Sequence, residues 1–125
     1  MEIYDVRPTI STPKVYFDTA RGSLELSGES YPENSFEFYA PLIARLKEYL
    51  SRPGCLRFDI SIKYMNSSSI KCVLELFDMM EEAESKGMDI VINWFYDKDN
   101  TRALELAAEF SEEVSLPFHI IPIES

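Results

Sequence analysis

The stretch CLRFDISIKY, residues 55–64, alternates strictly: Leu56, Phe58, Ile60 and Ile62 are apolar, and Arg57, Asp59, Ser61 and Lys63 are polar. A period of two predicts a strand with one face in a core and the other not deeply buried. The period then changes. From about Ser68 to Lys86, Ile70, Val73, Leu74, Phe77 and Met80 form the core stripe of a helix, Lys71, Glu75, Asp78, Glu82 and Ser85 form a polar stripe, and Gly87 supplies the stop. Cys72, Leu76, Met79 and Ala83 widen the apolar arc beyond what one buried face requires. The expectation is that this extra arc packs mainly on a neighbouring helix. The alternative is a partly exposed docking surface in which Met79 supplies an adaptable contact.

The flanking segments complete the pattern. Residues 14–19 (KVYFDT) and 23–30 (SLELSGES) read as a hairpin whose short loop contains Gly22. Phe38, Leu42, Ile43, Leu46 and Leu50 recur at helical spacing, with Asn34 or Ser35 available as a cap. Pro41 lacks a donor and would kink a helix interior, so the helix is expected to begin near Ala40 and to end at RPG, residues 52–54. MDIVINWFY, residues 88–96, is almost continuously apolar and predicts a central strand buried on both faces. DKDN is a loop in which Asn100 caps a helix over 101–115, with Leu104, Ala107 and Phe110 inward. LPFHIIPIE, residues 116–124, reads as a last strand that Pro117 and Pro122 push toward an edge. The order β-β-α-β-α-β-α-β predicts an α/β fold, a mixed sheet with helices packed against it, in a single domain over residues 1–125.

Charge narrows the function. The 125 residues carry 22 Asp and Glu against 12 Lys and Arg, a net charge of −10. With no cluster of Lys and Arg, nucleic acid and anionic membrane surfaces are poor partners, and a basic or mixed-charge protein is a better one. Cys55 and Cys72 stand in apolar surroundings at no metal or redox spacing, which predicts two buried free thiols in a reducing cytoplasm. The start MEIYDVRPTI lacks the regions of a signal peptide, and no apolar run reaches the roughly 20 residues of a membrane span, so no membrane insertion is expected.

Catalytic motifs are sparse. His119 has no nucleophile elbow to serve and reads as a structural or surface histidine. DKDNT, residues 97–101, begins like a calcium loop but lacks its central glycine and carries Ala108 where the loop's last ligand belongs, so Asp97 and Asp99 read as loop and helix-start carboxylates. With four glycines in all, no phosphate-cradling loop is present. The unusual feature is Asn66-Ser67-Ser68-Ser69, placed where a strand's carboxyl end meets a helix start. One of these residues suffices as an N-cap. The remaining hydroxyls sit at the sheet rim, where α/β folds place working residues, and a phosphoryl group there would face the positive end of a helix dipole.

The element order, with a serine just after the third of these strands, resembles the STAS domain of anti-sigma factor antagonists, in which a serine or threonine at this place is phosphorylated. More specifically, SGESYPENSFEFYAPL (27–42), YMNSSSIK (64–71), FDMMEEAESKG (77–87), INWFYDKDN (92–100) and LPF (116–118) resemble the SiaC family of bacterial regulatory phosphoproteins over nearly the whole chain. The resemblance implies that Ser67, directly after Asn66, is the phosphoacceptor, with Ser68 the nearest alternative, and that Asn66, Ser68 and Ser69 form the switch loop. It implies a kinase with a histidine-kinase-like ATPase fold, a PP2C-like phosphatase, and an unphosphorylated form that binds a diguanylate cyclase, linking the switch to cyclic-di-GMP and biofilm control. The expected function is thus a non-enzymatic signalling switch that binds no cofactor itself. Its docking surface is the strand–helix junction plus the helix stripe of Lys71, Glu75, Asp78, Met79 and Glu82. The rivals are a small enzyme using Asp59 or Asp97 in a cleft, and a constitutive scaffold whose serines only cap.

Overall fold

The computed structural model describes residues 3–124; Met1, Glu2 and Ser125, the outermost positions of the expected domain, lie outside the described residues. Six strands and three helices are formed among them: β1 (Ile3–Val6), β2 (Lys14–Asp18), β3 (Ser23–Ser30), α1 (Ser35–Leu50), β4 (Cys55–Met65), α2 (Ser67–Ser85), β5 (Asp89–Asp97), α3 (Thr101–Glu113) and β6 (Phe118–Ile123). The strands lie in the sheet in chain order, antiparallel from β1 to β3 and parallel from β3 to β6. Each parallel crossover moves one strand further in the same direction. Because such crossovers are right-handed, α1, α2 and α3 all fall on one face.

That face is the core. Val15, Phe17, Leu24, Leu26, Leu56, Phe58, Ile60, Ile62, Ile90, Ile92 and Trp94 are buried under the helices. The opposite face has no helix over it and carries Tyr16, Glu25, Arg57, Asp59 and Asn93. The alternation in β4 therefore reads as anticipated. The expectation that β5 is buried on both faces does not hold. Ile90, Ile92 and Trp94 are buried, whereas Val91, Asn93 and Phe95 on the open face are only partly covered, by their neighbours in the sheet. A continuous apolar run marks a central strand here without a second helical layer.

The mixed sheet, the hairpin and the edge position of β6 agree with the sequence reading, and four local expectations are corrected. β1 is an additional strand: it exposes Ile3 and Asp5 and half-buries Tyr4 and Val6, so pairing with the free edge of β2 makes it a strand. α1 begins at Ser35, capped by Asn34, whose side chain accepts the Glu37 N–H at 3.1 Å. Pro41 thus lies inside the helix. It deprives the Glu37 carbonyl of its donor, but both residues are exposed and water can serve. In α3, Ala103, Ala107 and Phe110 face inward and Leu104 is exposed. Cys72 is buried as expected, but Cys55 is exposed at the start of β4.

The apolar arc of α2 also resolves. Cys72, Leu76 and Ala83 are buried, as are Val73, Phe77 and Met80; α1 packs against α2, with Ala83 at the groove between them, and Phe77 turns to Phe58, Phe110 and Phe118. The neighbouring-helix reading therefore accounts for most of the arc. Ile70 and Leu74, assigned to the core stripe, are only partly buried, at a shallow groove they share with Leu106 and Phe110 of α3.

Candidate functional site

The carboxyl ends of β3 and β4 lie side by side, and the Asn66 N–H donates to the Ser30 carbonyl at 2.9 Å. Asn66 keeps an extended backbone, and its side-chain oxygen accepts the Ser69 N–H at 2.9 Å while its carbonyl accepts the Ile70 N–H at 3.0 Å. Asn66 is therefore the N-cap, and none of the serines is. Ser67, Ser68 and Ser69 form the first turn of α2, so the expected switch loop is the start of a helix. Among the described residues, the N–H groups of Ser67 and Ser68 have no acceptor, and the first turn of α2 holds no carboxylate. Both features leave the positive end of the helix dipole uncompensated.

The three hydroxyls have different surroundings. Ser69 is fully buried, Ser68 is half-buried and Ser67 is exposed. The Ser69 hydroxyl accepts from Ser30 at 2.8 Å and lies 3.1 Å from that of Ser35, the first residue of α1. Ser35 also lies 2.8 Å from the Ser68 hydroxyl, which donates to the Asn66 side-chain oxygen at 3.3 Å. At the far end, Ser30 is 2.7 Å from the Tyr39 hydroxyl. Each hydroxyl has one proton to give. Since Ser30 donates to Ser69, Tyr39 donates to Ser30; beyond Ser69, the hydroxyls of Ser35 and Ser68 lie against each other and both reach the Asn66 side-chain oxygen, at 3.4 and 3.3 Å. Burial pushes the Tyr39 phenol far above its ordinary range, opposed only in part by the Ser30 hydrogen bond, so it stays protonated and able to donate. The chain stitches the N-termini of α1 and α2 together and omits Ser67.

Around this point lie features the sequence reading did not single out. Tyr31 and Tyr64, at the ends of β3 and β4, are exposed and meet edge to face with ring centroids 5.7 Å apart. Phe36, in the first turn of α1, is 60% exposed. The alternation of β4 would turn Tyr64 inward with Ile62; the register shift between Gly28 and Glu29 breaks it, so that Tyr64 faces out, Met65 faces in, and the β3–β4 pairing brings Tyr31 to Tyr64. On α2, Lys71, Glu75, Asp78 and Glu82 are exposed, and Glu82 lies 3.5 Å from Lys86. Met79 is half-buried in a groove between α1 and α2 of about 400 Å³, lined also by Ile43, Lys47 and Leu50. The structure thus brings the stripe residues together on one helix, with Lys71 one turn below Ser67.

The carboxylates of the enzyme alternative are engaged elsewhere. Asp59, on the open sheet face, takes the Arg57 Nε at 3.1 Å and the Asn93 Nδ2 at 3.0 Å. Asp97 shapes the turn after β5, accepting the Asp99 N–H at 3.0 Å on its side chain and the Asn100 N–H at 2.7 Å on its carbonyl. His119 is exposed opposite Asn93. Among the described residues, no three His, Cys, Asp or Glu side chains gather as a metal site, and no helix is long and apolar enough to cross a membrane.

Residues 6–123 match the SiaC family of regulatory phosphoproteins. The chain belongs to the SiaC family. A relative in sequence, an uncharacterised protein of Pseudomonas aeruginosa strain UCBPP-PA14, is 41% identical over 115 residues, 90% of each chain. The crystal structure of apo-SiaC from P. aeruginosa superposes with a TM-score of 0.90 at 37% identity, covering 97% of this chain and 99% of that one. The SiaC chain crystallised as the activator of the diguanylate cyclase SiaD, also from P. aeruginosa, gives the same TM-score and identity over 96% of this chain and 99% of that one. The six-stranded mixed sheet with three helices is thus the SiaC fold.

Proposed function

We propose that this chain is a single STAS-like domain over residues 1–125 that works as a phosphorylation switch, with Ser67 as the acceptor. The observation that carries the reading is the difference among the three serines. Ser67 alone has an exposed hydroxyl outside the hydrogen-bonded chain, at a helix start with two open N–H groups. A partner kinase would bring ATP and Mg²⁺. The Ser67 Oγ would attack the γ-phosphorus, the bond to the leaving ADP oxygen would break, and a base on the kinase would take the hydroxyl proton. A PP2C-like phosphatase would reverse the modification by hydrolysis. The phosphoryl group adds about −1.5 to −2 charges, beside the open N–H groups and one turn above Lys71.

The unphosphorylated form binds and activates a diguanylate cyclase; the SiaC of the solved complex is the activator of SiaD. The docking face is the start of α2 with its stripe of Lys71, Glu75, Asp78, Met79 and Glu82. A shallow, charged face with an adaptable methionine suits a protein surface better than a small substrate. The switch itself is non-enzymatic and works in the cytoplasm in control of cyclic-di-GMP. Binding to a diguanylate cyclase, with the SiaD of the solved complex as the probe, measured by calorimetry, tests the reading. Ser67→Ala should keep wild-type affinity and Ser67→Asp should weaken it about tenfold or more, the effect of placing charge at a docking rim. Equal affinities of the two variants would contradict the charge mechanism.

A further inference from the structure

The hydroxyl chain answers why three serines stand in a row, and it bears on which of them reacts. Phosphoryl transfer needs a serine oxygen that can turn outward to the γ-phosphorus of ATP and a proton that can pass to a base. Ser68 has neither free: its hydroxyl lies 2.8 Å from that of Ser35 and donates to the Asn66 side-chain oxygen at 3.3 Å, an oxygen that Ser35 also reaches at 3.4 Å. Ser69 is completely buried between Ser30 and Ser35. Ser35 touches both and belongs to another helix, 33 residues from Ser68 along the chain. We infer that Ser35 is the residue that sets the phosphoacceptor register: by holding the Ser68 and Ser69 hydroxyls inward it leaves Ser67 as the one hydroxyl a kinase can use. This rests on the reading of Ser67 as acceptor, and it deepens that reading by naming a positioning residue outside the Asn-Ser-Ser-Ser run.

The same geometry explains why a modified Ser68 is disfavoured. A dianion there would displace Ser35 from between the two helix starts and leave the buried Ser69 and Ser35 hydroxyls short of a partner. The pattern also supplies its own control. Ser30 is as buried as Ser35 and lies in the same chain, but it touches Ser69 and Tyr39 and not Ser68. Removing Ser30 damages the network without releasing Ser68.

Three-bond NMR couplings that report side-chain χ1 test this without any kinase. In the wild-type protein Ser67 should show rotamer-averaged couplings, and Ser68 and Ser69 single-rotamer values. Ser35→Ala should move Ser68 to averaged values, and Ser30→Ala should not. Should Ser35→Ala not fold, Ser35→Cys keeps the volume with a weaker hydrogen bond and should shift Ser68 part of the way. Averaged Ser68 couplings in the wild type, or Ser68 couplings unmoved by Ser35→Ala or Ser35→Cys, would overturn the inference. Incubation of the same proteins with the partner kinase and Mg-ATP then reads the consequence. The share of phosphate on Ser68 should rise about five-fold in Ser35→Ala, the order set by one lost hydrogen bond, and stay at its wild-type level in Ser30→Ala. An unchanged Ser68 share in Ser35→Ala also counts against the inference. Phosphate mapping chiefly away from Ser67 in the wild type contradicts the Ser67 reading, while the couplings still decide whether Ser35 holds Ser68.

Discussion

Ser67, Ser68 and Ser69 are chemically identical and adjacent, yet one is exposed, one half-buried and one sealed in the core. Their sequence suggests that one should cap and the others do something else. It cannot show which, because the partners that tell them apart, Ser30 and Ser35, come from another strand and another helix. Tyr39 ends the same chain and makes its role measurable. Tyr39→Phe removes the first donor and should cost about 1–3 kcal/mol at neutral pH, the penalty of an unpaired buried hydroxyl. The sign of its pH dependence follows from its raised pKa. Unfolded, the phenol ionises near its ordinary value of about 10. Folded, it keeps its proton to a higher pH, so the folded state holds more protons in that interval. Stability from this group is complete below about pH 9 and falls as pH rises past 10. Urea unfolding followed through Trp94, the single buried tryptophan, should therefore show a shallower alkaline loss in Tyr39→Phe than in the wild type.

Gly22 is a second residue whose need the fold makes plain. It lies in the hairpin loop with φ +64°, and a methyl group built on it would come within 2.6 Å of the Cys55 carbonyl oxygen and 2.7 Å of the Tyr49 hydroxyl. Left-handed backbone costs an L-residue about 1–2 kcal/mol before any clash. Gly22→Ala should therefore destabilise by about 2 kcal/mol or more, read by the same unfolding assay. A loss under about 0.5 kcal/mol, the range of an ordinary surface substitution, would mean that the loop relaxes freely.

At the scale of elements, the long periodic segments were legible and the exceptions have separate causes. β4 and α2 follow their hydrophobic periods to within a residue or two of their ends. β1 carries no period strong enough to declare itself, since its pairing is supplied by the edge of β2. α1 was expected to start at Pro41's turn, and instead tolerates Pro41 in an exposed interior position. That tolerance has a cost: proline in a helix interior is unfavourable by up to about 3 kcal/mol. Pro41→Ala should raise stability by about 1 kcal/mol or more, after the unfolded chain regains some freedom. Asn66→Ala should act in the opposite direction. It removes the cap of α2 and the acceptor at the end of the hydroxyl chain, for a loss of about 1–2 kcal/mol. Asn66→Asp, which keeps the acceptor, should lose less.

Over the whole molecule, three crossovers of one hand leave one sheet face bare and gather the helix starts along the rim where β3, β4 and β5 end. The mixed sheet could be read from the order of strands and helices. That every helix lies on one side could not be read from β5, whose apolar run suggested two covered faces. The convergence of α1 and α2 at one point was equally hidden, because it depends on adjacent parallel strands in the sheet. On a chain of net charge −10, an added phosphate at this rim is repelled by most of its own surface and is held by the open N–H groups of Ser67 and Ser68. The switch reading thus depends on a local seat in an otherwise unfavourable field.

The most direct measurement is the site of modification itself. The purified protein is incubated with its partner kinase, ATP and Mg²⁺, and the phosphopeptides are mapped by fragmentation mass spectrometry. The account predicts one phosphate, on Ser67, and none in Ser67→Ala. A phosphate chiefly on Ser68 or Ser69, one outside residues 67–69, or no transfer at all would contradict it.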